Sequence, residues 1–249
     1  MAKKRRNKKD RFELQLLTAD HNATQEGPQR KSWSKHDLLR IKPLTDKQHD
    51  MFQSWYQGDN ICAHGSAGTG KTFLALYLAL DELLERGEQK KILILRSVVP
   101  TRDVGHLPGT LEEKSAPYEQ PYHDILAELI GRQSTYKNMK EANLIEFATT
   151  SYIRGLTWDN TIIIVDEFQN MSAHEINSIM TRVGNNSRII LAGDGTNQCD
   201  ITKGPESGAQ RLIAIAKDLK SFSAINFTCE DIVRSEFVKN WIVANQKYG

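Results

Sequence analysis

The sequence predicts an α/β domain of three layers, a central parallel sheet with helices on both faces, built as a single lobe. Three observations lead there. Short apolar runs recur at 60–63, 92–95, 161–165, 188–192 and 224–227, several of them continuous rather than alternating. Strands of that kind are buried on both faces. Helical patterns lie between or after them, at 72–86, 122–131, 173–183, 206–219 and 233–246. Alternation of that sort joins parallel strands by crossovers. A chain of 249 residues, 39% hydrophobic and 26% charged, is also long enough to bury one core.

Residues 1–40 lack sustained periodicity and are expected to form a flexible arm, with the domain over 41–249. Residues 1–11 hold seven cations against Asp10, a local charge of +6, so the rest of the chain carries −4 under a net charge of +2. The apolar FELQLL that follows is too short and too polar for a signal peptide. No run approaches the ~18 apolar residues that a bilayer span needs, so no membrane partner is expected. Cys62, Cys199 and Cys229 are odd in number, far apart and without a CxxC pair. That excludes a disulfide framework and a zinc site and suits a reducing cytoplasm.

The first helix is expected from Thr45, a capping residue, with Gln48 in the first turn and Met51, Phe52 and Trp55 on one face. The Gln48 amide can both donate and accept, so it is either an adenine reader or a surface glutamine. The strand at 60–63 runs into AHGSAGTGKT, a P-loop pattern. Gly65, Ser66, Ala67, Gly68, Thr69 and Gly70 would curl backbone N–H groups around phosphate oxygens. Lys71 would neutralise the β- and γ-phosphates, and the Thr72 hydroxyl would serve Mg2+.

The segment 97–157 holds four prolines and mixed charge before the next expected strand. An insertion of that length is usually functional or an oligomer contact. The strand at 161–165 then ends on Asp166 and Glu167. In P-loop folds such an Asp anchors Mg2+, and an immediately following Glu polarises water, so Glu167 is the expected general base. After the strand at 188–192, LAGDGTNQCD places Gln198 where it could sense the γ-phosphate. NQCD differs from the guanine-reading NKxD pattern by Gln for Lys, and the DxxG glycine is missing after Asp166, which argues against a GTPase switch.

Several motifs together resemble the PhoH family over about residues 42–246: GSAGTGKT, LRSVVPTRDVGHLPGTLEEKSAPYEQPYHD, IRGLTW, IIIVDEFQNMS, TRVG, LAGDGTNQCDI and DIVRSEFV. The LPG…EK…PY run is the most discriminating. Leu156 and Phe168 depart from the family pattern. The resemblance implies a RecA-like sheet similar to the first lobe of superfamily 1 helicases, ATP with Mg2+, and an ATPase tied to RNA or single-stranded DNA. Helicase and ribonuclease activities are both suggested for relatives.

One lobe lacks the arginine that a second lobe supplies to a helicase site. A neighbouring copy is the economical source, so a homo-oligomeric ring, a hexamer, is expected, with Arg182, Arg234 or Arg154 as the finger. Each of these arginines also has a reading as a surface ion pair. Arg96, Ser97, Thr101 and Arg102 follow the second strand, where helicase relatives contact the nucleic-acid backbone. Tyr118 and Tyr122 either meet bases or pack a helix. The KKRRNKK arm either adds non-specific attraction or is a solvated tail. A nucleotide-gated assembly module without motor activity is the rival function; no histidine pair or second carboxylate cluster supports a nuclease.

Overall fold

A computed structural model describes residues 33–85, 89–97, 111–150, 153, 155, 157–194 and 208–248. Its frame is a six-stranded sheet: β1 (Asn60–Gly65), β2 (Lys91–Arg96), β3 (Ile145–Thr149), β4 (Thr161–Asp166), β5 (Arg188–Gly193) and β6 (Phe222–Phe227). The spatial order is β3-β2-β4-β5-β1-β6, and every pairing is parallel. All strand C-termini therefore open on one edge. There the ends of β2, β4, β5 and β1 stand side by side.

Alternate residues of the central strands feed two cores. Ile61, Ala63, Ile92, Ile94, Ile162, Ile164 and Ile190 pack under α1 (Asp46–Tyr56), α2 (Lys71–Leu84) and α3 (Leu111–Ile130). Cys62, Leu93, Leu95, Ile163, Val165, Ile189 and Leu191 pack under α5 (Ala173–Met180) and α6 (Ala209–Asp218). Burial on both faces is the reason these strands read as continuous apolar runs. The fold is the three-layer, RecA-like class expected from the sequence, and the described residues form one lobe.

Two parts of the inserted segment differ from expectation. The helix expected at 122–131 starts eleven residues earlier, at Leu111, and carries Pro117 and Pro121 inside it. Prolines lack an N–H and normally mark a helix boundary, which hides this one. A short α4 (Thr135–Glu141) follows, and then β3, a sixth strand outside the five apolar runs. β3 is an edge strand: Ile145 is buried while Glu146 faces outward to Lys91 at 2.7 Å. Its mixed polarity gives it a weaker sequence signal than a central strand has.

Residues 1–32 lie outside the described part, but 33–40, expected within the arm, already pack. Trp33 and Leu39 lie against the core, Leu38 is buried in it, and the Leu39 N–H bonds the Leu129 carbonyl at 2.7 Å. The last helix among the described residues, α7 (Glu236–Tyr248), brings Ile242 close to Gly68. Among the described residues no helix is long and apolar enough to cross a membrane.

Candidate active site

The turn from β1 into α2 is built by backbone geometry that only particular residues allow. Gly65 sits at φ +117°, and a Cβ there would stand 2.0 Å from the Phe227 carbonyl oxygen of the neighbouring β6. That contact is fixed because the Ser66 N–H bonds the same carbonyl at 2.9 Å. Three further bonds brace the loop. Thr69 Oγ1 donates to the Ser66 carbonyl (3.1 Å), Gln48 Nε2 to the Thr69 carbonyl (3.0 Å), and the Val233 N–H to the Gly68 carbonyl (3.1 Å). Gly70, left-handed at φ +86°, then caps α2. The first N–H groups of α2 lack helical partners, as at any helix start, and with the loop amides they make an anion cradle.

The cleft above this turn has a volume of about 840 Å³ and is lined by Gln48, Ala67–Leu74, Arg96, Asp166, Glu167, Gln169, Asp194 and Arg234, among others. That size suits a mononucleotide. Leu44, Phe73, Ile125 and Val233 line it as well and give it an apolar margin. Gln48 is buried, and its amide holds the P-loop: Oε1 accepts from the Leu44 N–H at 2.8 Å while Nε2 reaches Thr69.

The charged groups form a connected set. Lys71 Nζ donates to the Ser66 carbonyl (2.7 Å), the Gly65 carbonyl (3.0 Å) and Asp194 Oδ1 (3.0 Å). An arriving phosphate would take over this ammonium. The Asp194 N–H donates to Gln169 Oε1 at 2.9 Å, and Gln169 Nε2 donates to Glu167 Oε2. A chain of hydrogen bonds therefore runs from the P-loop lysine to the expected base. Glu167 itself is held at φ +54°, a conformation uncommon for a non-glycine residue. Burial, and then the adjacent Asp166, push its carboxyl above the ordinary glutamate range.

Asp166, at the end of β4, is nearly inaccessible. Its Oδ1 accepts from Thr72 Oγ1 at 2.8 Å and its Oδ2 from the Tyr122 hydroxyl at 2.8 Å. Burial raises its carboxyl, opposed by these two bonds and by the charge of Arg96. The Thr72 hydroxyl and the Asp166 carboxylate are hard oxygen donors beside a phosphate cradle. That small set fits Mg2+, which is bound through one or two protein oxygens plus phosphate and water.

The other expected residues fall in different places. Arg234 lines the cleft of its own chain, its Cγ 3.1 Å from where a Cβ on Gly68 would sit. Arg182 does not line it and donates to the carbonyl and hydroxyl of Ser178. Arg96, expected to face nucleic acid, instead lies in the cleft with its guanidinium 5.8 Å from the Tyr118 ring centre. Ser97 is buried, and so is Tyr122, which cannot meet a base. Gln198, Arg154, Thr101, Arg102 and Leu156 lie outside the described residues. His64, next to the P-loop, is a core histidine: burial lowers its pKa to about 4, which keeps it neutral.

Two site residues escape sequence reasoning. Asp194 lies inside LAGDGTNQCD, but nothing local ties it to a lysine 123 positions away. Tyr122 reads from sequence only as packing or as a base platform. The PY spacing in the insertion gives no sign of a carboxylate partner.

The fold and the site define a P-loop ATPase domain. The family model for PhoH-like proteins matches residues 40–246, and the chain belongs to that family. It is 35% identical over 215 residues to the PhoH-like protein of Bacillus subtilis, covering 86% of this chain and 66% of that one. It is likewise 35% identical over 208 residues to the PhoH-like protein of Mycobacterium tuberculosis, covering 84% and 58%, and over 177 residues to Protein PhoH of Escherichia coli, covering 70% and 49%. The chain thus spans between about half and two thirds of these relatives' lengths. Among solved structures it is similar to the large terminase of a thermophilic bacteriophage, with TM-score 0.49 and 14% identity over 80% of this chain and 50% of that one. Pif1 helicase from Candida albicans gives TM-score 0.39 and 16% identity over 76% and 40%.

Proposed function

We propose that this chain hydrolyses ATP with Mg2+ and couples that hydrolysis to RNA or single-stranded DNA, in the cytoplasm, as a ring of copies. The observation that carries the reading is the meeting of Lys71, Thr72, Asp166 and Glu167 around one mononucleotide-sized cleft. Phosphates in the P-loop draw the Lys71 ammonium from Asp194 and the loop carbonyls. Glu167 takes a proton from a water aligned with the γ-phosphorus, so that the water attacks as the bond to the β-phosphate oxygen breaks. Lys71, Arg234 and Arg96 offset the charge that builds on the phosphoryl oxygens. Bound Mg2+ supplies further neutralisation of the β- and γ-phosphates. The apolar margin of Leu44, Phe73, Ile125 and Val233 suits the adenine base.

The nucleic-acid half of the proposal rests on the family resemblance and on the strand ends. Thr149, at the end of β3, stands at the same sheet edge as Asp166. The ring half rests on Arg182, which lies outside its own chain's cleft, and on α7. The inner face of α7 packs at the P-loop, with Ile242 3.4 Å from where a Cβ on Gly68 would be. Its outer face shows Phe237 and Trp241 at 76% and 66% exposure. A second copy seated there would lie against the helix that packs at the P-loop, from which an arginine in trans could reach the cleft. Since Arg234 already lines the cleft of its own chain, Arg182 is the better candidate for that role.

ATP turnover measured with and without single-stranded RNA and DNA, alongside the mass of the active species, tests these parts together. The expected result is stimulation by at least one strand type, weakening steeply as salt rises, in an oligomeric species. Turnover that ignores both nucleic acids favours the assembly module, and full turnover by a monomer removes the ring.

A further inference from the structure

Tyr122 is completely buried, and a buried phenol needs a hydrogen-bond acceptor. The acceptor it has found is Asp166 Oδ2, at 2.8 Å across 44 positions of sequence. The other carboxylate oxygen accepts from Thr72 at the same distance. Each oxygen of Asp166 is thus held by a different helix: α2, which follows the P-loop, and α3. We infer that Tyr122 is a positioning residue for the metal carboxylate, and that α3 thereby controls how well the cleft holds Mg2+. The inference rests on the reading of Asp166 as the carboxylate that serves Mg2+.

The geometry allows one orientation. Rotation of the Asp166 carboxylate would exchange its oxygens, and the Tyr122 bond opposes that rotation. Oδ1 is left aimed at Thr72 and the phosphate cradle, while Oδ2 is turned away toward α3. A phenylalanine would fill the same space beside Phe147 without fixing the carboxylate. Within the Tyr122 side chain it is therefore the hydroxyl that bears on the orientation, with Thr72 holding the other oxygen. One turn earlier on the same helix, Tyr118 lies against the guanidinium of Arg96, which sits in register beside Asp166 on the neighbouring strand. Two successive turns of α3 consequently touch the carboxylate and the cation that balances it. A shift of α3 by about an ångström would break a bond of this length. Whatever moves α3 thus reaches the metal site, alongside any effect it has through Ile125 on the margin of the cleft.

The test compares the affinity of a fluorescent ADP analogue with Mg2+ and with chelator. Wild-type protein is expected to bind more tightly with Mg2+. Tyr122→Phe is expected to lose about tenfold of that gain, the usual effect of removing an outer partner of a metal ligand, with metal-free affinity unchanged. Tyr136→Phe is the control: it deletes another buried hydroxyl between α3 and α4, 3.3 Å from Glu119, and should leave the Mg2+ gain intact. In an Asp166→Asn background, Tyr122→Phe should remove nothing further. Should Tyr122→Phe not fold by thermal melting, Tyr122→Met replaces it in the same comparison. A normal wild-type gain with an unaltered Tyr122 variant, or an equal loss in Tyr136→Phe, overturns this inference alone. A wild-type affinity indifferent to Mg2+ overturns the metal reading and this inference with it.

Discussion

Glu167→Gln is expected to lower ATP turnover about 10²–10⁴-fold while ATP binding persists, the range typical for loss of a positioned general base. The substitution keeps shape and a hydrogen-bonding group but cannot accept the proton. Structural collapse is not expected. The native carboxylate is half-buried with the buried Asp166 as its neighbour, and loss of solvent and that charge both hold its pKa high. A neutral amide relieves both penalties, so stability should hold or rise. The decisive comparison is a single-turnover experiment beside a binding measurement. Loss of turnover with nucleotide still bound identifies the base, whereas joint loss of both would assign Glu167 to binding. Gln169→Ala addresses the same residue from outside, because that amide holds Glu167 and also accepts from the Asp194 N–H.

Gly65→Ala is expected to cost about 3 kcal/mol or more of stability, and with it the nucleotide cradle. Two separate penalties meet there. At φ +117° an L side chain is strained in any surroundings, and the new methyl would stand 2.0 Å from a backbone oxygen. Neither backbone can yield, because β1 and β6 are paired along their whole lengths and Ser66 bonds the same oxygen. Gly131 separates the two effects: it too has positive φ (+80°), but nothing lies within 4 Å of its Cβ position. Gly131→Ala should cost only about 1 kcal/mol, the backbone share alone. Equal melting temperatures for the two variants would show that the β6 contact does not constrain the loop.

The parts of this molecule legible in sequence are those where one local pattern has one physical cause. Central strands buried on both faces must be apolar throughout, so β2, β4 and β5 stand out. A phosphate cradle needs glycines, a lysine and a hydroxyl in fixed order, which AHGSAGTGKT provides. Two acids ending an apolar strand need an electropositive partner, and that places Asp166 and Glu167 beside the loop. The hidden parts depend on contacts between distant segments. Nothing around Asp194 points to Lys71, and nothing around Tyr122 points to Asp166. Arg96 reads as a nucleic-acid contact because it ends a strand, but its register beside Asp166 turns it into the cleft. Pro117 and Pro121 read as breaks because local propensity cannot register the packing of α3 against α2 and α4. Gln48 shows the intermediate case. Its position in the first turn is legible, but its partners, the Thr69 carbonyl and the Leu44 N–H, belong to the fold.

The most direct measurement is release of inorganic phosphate from ATP by the purified chain, with Mg2+ present and after chelation. The expected result is turnover that requires Mg2+ and disappears in Glu167→Gln. Phosphate release that continues under chelation, or that survives Glu167→Gln at the wild-type rate, would contradict the assignment of this cleft as a Mg2+-dependent ATPase site.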